Sequence, residues 1–168
     1  MMAASPVHEA DGLREAIHAS GLAPDAPDLA RAFSYRLHAL NKFSEQGSRK
    51  AYLQGAGLSL GDGRCLATVG AFEPLSINDL ARVANLNKGQ ASRAAQSLVD
   101  RGLACKEEHP GDGRGVVLTL TADGRARWTR VMALIEQHNR ALLAALTPDE
   151  QAQFSALLDK VLAQPPLP

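Results

Sequence analysis

Gly89, Gln90, Ser92 and Arg93 lie within one short stretch, LNKGQASRAAQSLVDRGL at residues 86–103, and combine a bare backbone position, an amide, a hydroxyl and a guanidinium. These groups suit nucleic acid. A guanidinium donates in a fork to guanine or phosphate, an amide pairs with adenine, and a glycine lets the backbone come close. At about 100° per residue, a helix here points Gly89, Arg93, Gln96 and Ser97 outward, with Gln90 and Ser92 on the flanks. Ala91, Ala94, Ala95, Leu98 and Val99 share the opposite face, and their mostly small size lets the helix sit close to its neighbour. An ordinary solvated surface helix would carry the same polarity, so the choice between the two rests on the surrounding elements.

The preceding run, PLSINDLARVAN, sets Ser76 as an N-cap with Asp79 three residues on, and Ile77, Leu80, Ala81 and Ala84 at helical spacing. Asn85 can take the left-handed conformation that ends this helix, Leu86 can plug the corner, and Asn87 can cap the next one. Helix, tight turn and helix are followed by two strand-like runs, LACKEE and VVLTL, joined by HPGDGRG. A helix-turn-helix with a β-hairpin attached is a winged helix. The joining loop is too hydrophilic and glycine-rich to pack inside, which leaves Arg114 free to enter a minor groove, with Asp112 close enough to hold its guanidinium. A salt bridge that only stiffens the loop is the plainer role for the same pair.

Outside this block the pattern is helical. HEADGLREAIHASGL reads as a small helix stopped at Gly21; a longer one carries Leu29, Phe33, Leu37 and Leu40 on one stripe and runs to about Gln46, before Gly47. A shorter piece around Tyr52 is expected to end at Gly55 and Gly57, and another helix to cover about residues 60–71. After the hairpin, a helix opens at Thr121 with Trp128, Val131, Ile135 and Leu142 on one stripe, and TPDE at 147–150 restarts a last helix carrying Phe154, Leu157, Leu158, Val161 and Leu162. The expected fold is mainly α with a small β-hairpin wing. Its parts are an N-terminal extension at 1–27, N-terminal dimerisation helices at 28–57, the winged helix-turn-helix at 58–120 and C-terminal dimerisation helices at 121–168. The terminal helices have little sheet to cover, so their apolar stripes are expected to meet a second copy of the chain.

The run from Leu75 to Arg125, with GLSLGDGRCLATVG before it and LTLTADG after the hairpin, resembles the winged-helix core of the MarR family of bacterial transcription regulators, and Asp112, Gly113 and Arg114 match its D-x-R wing signature. The resemblance covers about residues 29–163. It implies a homodimeric repressor on a palindromic operator in double-stranded DNA, released by a small molecule or an oxidant. It also implies base and phosphate contacts from Gly89, Gln90, Ser92 and Arg93, and backbone contacts from Ser76 and Lys88. Most relatives carry Ser or Thr where this chain has Gly89, and many carry a bulky aromatic where it has Gly63. The latter leaves space either for an effector or for a neighbouring side chain. For a small aromatic acid as effector, Tyr35, His38, Tyr52 and Arg64 are the expected contacts, able to meet a ring and a carboxylate.

The net charge is zero, but Ser76 to Arg130 holds nine Lys and Arg against six Asp and Glu, which permits a polyanion partner on that segment. The two cysteines, Cys65 and Cys105, are too few for a disulfide framework, and no CxxC or HExxH spacing suggests a metal, so neither cofactor nor metal is expected. No apolar run has the length of a membrane span, and the acidic start lacks a signal peptide's apolar block, so a cytoplasmic location is expected. Thiol-redox sensing is a second reading, weakened by the buried-looking setting of Cys65 and by the lack of any earlier cysteine. An enzyme is not expected, because Cys105 and His109 lie on a strand and a turn that splay them, with no third partner. A winged helix used only for protein contacts is the remaining alternative.

Overall fold

The computed structural model describes residues 29, 32–108 and 116–164. The chain divides into two compact units, residues 1–43 and 44–168. In the first, Leu29 and the opening turns of helix α1 (Phe33–Ala56) are described, and Phe33, Leu37 and Leu40 are exposed along them. The small helix expected before Gly21 lies outside the described residues.

Helix α1 passes through Gly47 and Gly55 without a break, contrary to the expectation that it would stop before Gly47 and resume as a shorter piece. Both glycines are contact points instead. A methyl group on Gly47 would overlap the His138 ring, and one on Gly55 would come within 2.8 Å of Leu134 Cδ1. The helix ends at Ala56, and the next residue, Gly57, has a φ of +64° that only glycine adopts at low cost.

The second unit is built on α2 (Leu60–Phe72), β1 (Leu75–Ser76), α3 (Ile77–Val83), α4 (Lys88–Asp100), β2 (Ala104–Glu108), β3 (Val116–Leu120), α5 (Ala122–Leu142) and α6 (Pro148–Leu162). The sheet has three antiparallel strands in the order β1-β3-β2, with Leu75 opposite Leu118 and Ala104 opposite Leu120. The hairpin was expected; β1 was not, since two residues are too short to show an alternation. One core runs through the unit, made by Leu58, Cys65, Leu66, Val69, Leu80, Ala91, Ala95, Leu98, Leu118 and Val131 among others. Truncating one of its leucines to alanine costs about 2–5 kcal/mol.

Helix ends follow the sequence closely. Ser59, Ser76, Thr121 and Thr147 each accept a hydrogen bond from the backbone N–H three residues on, and Glu150 closes a capping box with Thr147 beside Pro148. Asn85 has φ +53°, the left-handed value expected at the corner, and Leu86 packs half-buried against the core. α6 has no buried residue, and Phe154, Leu157, Leu158, Val161 and Leu162 are all exposed on it. Among the described residues, no helix is long and apolar enough to cross a membrane.

α5 meets the winged helix at two close approaches. The Trp128 indole lies over Gly70 and donates to the Ala67 carbonyl at 3.2 Å. At its first turn, Gly124 sits so near Leu103 that a methyl group would overlap the Leu103 carbonyl oxygen, a backbone atom with no freedom to turn away. Gly124→Ala is therefore expected to lower the unfolding free energy by about 3 kcal/mol. Gly61→Ala, where a methyl group meets nothing nearer than Ser59 Oγ at 3.9 Å, should leave it unchanged or raise it by up to about 1 kcal/mol. Urea unfolding at one fixed protein concentration compares the two.

Candidate nucleic-acid interface

The site is organised by the start of α4. Asn87 Oδ1 accepts from the Gln90 N–H at 2.8 Å, and Gln90 Oε1 accepts from the Asn87 N–H at 3.1 Å, a reciprocal box that holds the first turn in one geometry. The Gln90 amide therefore spends its oxygen inside the protein and keeps its two N–H donors for a partner. Lys88, Gly89, Gln90, Ser92 and Arg93 are all exposed. A methyl group on Gly89 would find only Asn87 Oδ1 at 3.4 Å and Arg93 Nη1 at 3.7 Å, so the turn is bare on its outer side. Bare N–H groups and the positive end of the helix dipole favour a phosphate there. Arg93 and Lys88 make no hydrogen bond or ion pair among the described residues, so their charges face outward unspent.

Not every polar residue of α4 is available. Ser97 was expected to point outward, yet it is half-buried and donates to Asp62 Oδ2 on α2 at 3.2 Å. The expected helical phase is right for Arg93; at Ser97 the neighbouring α2 simply reaches further round. Gln96 is exposed but engaged at both ends, donating to Asp100 Oδ1 and accepting from Lys106 Nζ, each at 2.7 Å. This chain braces β2 against α4. The Ser76 hydroxyl accepts from the Asp79 N–H at 3.1 Å and donates to Asp79 Oδ2 at 2.7 Å, while Arg82 Nη2 reaches Asp79 Oδ1 at 3.2 Å. Ser76 thus holds the start of α3 in place.

β2 ends at Glu108 and β3 begins at Val116, with the seven residues 109–115 between them in sequence. Asp112 and Arg114 belong to that stretch and lie outside the described residues. β1 ties the base of the hairpin to α3, and Glu73 ties it to α5, accepting from the Leu120 N–H at 2.6 Å and pairing with Arg125 at 2.5 Å.

The residues expected at an effector are distributed as follows. Tyr35, half-buried, and His38, exposed, belong to the first unit. In the second, Tyr52 is buried with its ring in the space above Gly63, so a neighbouring side chain fills the room left by the missing aromatic. Burial pushes the Tyr52 hydroxyl above its ordinary range, and the Arg64 charge offsets part of this. Arg64 pairs with Glu45 at 3.1 Å. Sequence reasoning missed the links from Asp62 to Ser97 and Arg101, because they join residues about 35 to 40 positions apart with no local pattern to mark them.

Cys65 is not a ready redox centre: it is wholly buried, and burial, with the Asp62 charge added, pushes its thiol up to about 12. Cys105 is half-buried with Sγ 3.0 Å from Thr119 Oγ1. Among the described residues, no cluster of His, Cys, Asp and Glu is placed to hold a metal ion.

A helix-turn-helix with a bare, cationic second helix and a hairpin rooted beside it defines a winged-helix regulator. The sequence profile of the MarR family matches residues 56–115. The HTH-type transcriptional repressor Rv2887 of Mycobacterium tuberculosis is 30% identical over 141 residues, 84% of this chain and 97% of the relative. The crystal structure of Rv2887 in complex with salicylic acid superposes with a TM-score of 0.66 at 30% identity, over 83% of this chain and 99% of that one. A MarR-family regulator from Silicibacter pomeroyi gives 0.70 at 29% identity, over 80% and 90%. The chain belongs to the MarR family of winged-helix transcription regulators.

Asn87→Ala should remove the capping box and cost about 1 kcal/mol of stability, read as a lower urea midpoint. In the folded protein at pH 8, Cys65 should stay unmodified by a thiol reagent and react only once denaturant is added, because its thiol remains protonated.

Proposed function

We propose that this protein is a homodimeric repressor that grips a palindromic operator in double-stranded DNA and lets go when it binds a small aromatic acid. The observation that carries the reading is the exposed Arg93, with no hydrogen-bond or ion-pair partner among the described residues, beside Gly89 on a capped first turn of α4. In this reading Gly89, Gln90, Ser92 and Arg93 meet bases and phosphates, Ser76 and Lys88 steady the backbone, and Arg114, positioned by Asp112, enters the minor groove. The Ser76 hydroxyl donates to Asp79 Oδ2, so contact with a phosphate would require that proton to be redirected.

Two copies are needed to read a symmetric site, with their recognition helices about 34 Å apart in successive major grooves. The uncovered apolar face of α6, with Leu162 71% and Leu157 52% exposed, supports a second copy as its cover. The effector class is supported by the relative Rv2887, whose structures hold salicylic and p-aminosalicylic acid. A ligand acts by preferring the conformation in which the helix spacing no longer fits the operator. The protonated, buried Cys65 favours this over a thiol switch.

Fluorescence anisotropy on the upstream region of the protein's own gene, over a range of salt concentrations, tests the reading. The parent should bind with a steep loss of affinity as salt rises. Arg93→Ala should cost about 1–3 kcal/mol and relax sequence preference, while Arg114→Ala should weaken binding with less sequence dependence and reduce the salt slope by about one. Parent-like binding by both variants would remove the residue assignments. Absence of salt-dependent binding in the parent would leave a protein-contact module.

A further inference from the structure

A cleft of about 270 Å³ opens between the C-terminal end of α4 and the first turns of α5, lined by Arg101, Leu103, Asp123, Ala126, Arg127 and Arg130. Asp123, Ala126, Arg127 and Arg130 follow the i, i+3, i+4, i+7 spacing of one helix face, and Arg101 is the C-cap of α4. Three guanidiniums thus face one lining carboxylate. Two of them also clasp the end of α1: Arg101 Nη2 donates to the Gly57 carbonyl at 2.8 Å, and Arg127 Nη1 donates to the Ala56 carbonyl. Arg101 Nη1 lies a loose 3.9 Å from Asp62 Oδ2, and Arg130 has no partner among the described residues.

We propose that this cleft is a binding site for a small organic carboxylate, and that its occupation is felt by the recognition helix. Guanidiniums are matched to carboxylates by their paired donors, and three of them against Asp123 in the lining and Asp62 behind Arg101 leave the cleft with excess positive charge. Leu103 and Ala126 add an apolar wall, which a bare inorganic anion does not use and a ring or short chain does. A volume of about 270 Å³ admits a small ring or short chain carrying a carboxylate. The cleft sits at the opposite end of α4 from Gly89, with Arg101 twelve residues along, roughly 18 Å at helical rise. An operator phosphate held at the first turn does not reach it.

A carboxylate here competes with the Ala56 and Gly57 carbonyls for Arg127 and Arg101. Since Arg101 ends α4, drawing it into the cleft loosens the tie between the end of α1 and the recognition helix, and the two arrangements of that tie differ in affinity for the ligand. This deepens the ligand-released regulator proposed above and rests on it for the link to DNA. The Tyr52 and Arg64 region is less open to an acid, since that phenol is buried and that guanidinium is already paired.

The test titrates salicylate into the full-length protein by calorimetry and into its operator complex by anisotropy, with salicylamide and inorganic phosphate as parallel arms. Salicylate should bind and release DNA; salicylamide, which keeps the ring without the charge, should not bind, and phosphate should bind at least tenfold more weakly. Arg130→Ala and Arg127→Gln should each weaken salicylate at least tenfold, and Arg130→Ala should melt at the parent temperature without ligand. Unchanged salicylate affinity in both variants, equal binding of phosphate, or no binding to the parent would overturn the site. If salicylate still released DNA from both variants as readily as from the parent, the regulatory reading would stand without this site. If salicylate bound in a manner lost in both variants yet left the operator complex intact, the site would stand and the regulatory reading would fall.

Discussion

The placement of α4 depends on a face that is only one carbon deep over much of its length. Ala91 and Ala95 are wholly buried and Ala94 nearly so, which lets the helix backbone settle close against α2 and α3 before Leu98 locks its second half into the core. A helix seated by methyl groups has little room to roll: a larger side chain at any of the three positions lifts it away, and overpacking of this kind typically costs about 1–3 kcal/mol. The same seating settles which side chains remain outside. Gly89, Ser92 and Arg93 are exposed because their neighbours are consumed by packing.

The ends of α4 are held by different means. At its start the Asn87 and Gln90 box uses side chains to satisfy backbone donors, while at its end Gly102, with φ +69°, turns the chain sharply into β2. Arg101, between them, gives its guanidinium to a carbonyl of another helix. The working first turn is therefore supported locally, and the far end is supported by tertiary contacts. Disturbing the far end need not unfold the near one.

Much of this was legible in the residues because it is local. Caps at Ser76, Asn87, Thr121 and Thr147, the corner at Asn85 and the two long strands each carry their cause within four or five positions. Gly47 and Gly55 misled for the opposite reason. A glycine in a helical run reads as a stop, but these two are spaces for His138 and Leu134, some eighty to ninety residues away. Ser97 and Gln96 show the same limit at the candidate site, since helical phase alone cannot tell an outward hydroxyl from one met by Asp62 on a neighbouring helix. The arginines around the cleft went unread because Arg101 joins Arg127 and Arg130 only through the fold.

β1 is two residues long, yet it has a mechanical effect larger than its size. Leu75 and Ser76 pair with Leu118 and Val117 of the hairpin, and Ser76 is at once the last residue of the strand and the cap of α3. One amino acid is thus common property of hairpin and helix-turn-helix, and the two cannot swing independently. A displacement of the hairpin base therefore carries the start of α3 with it.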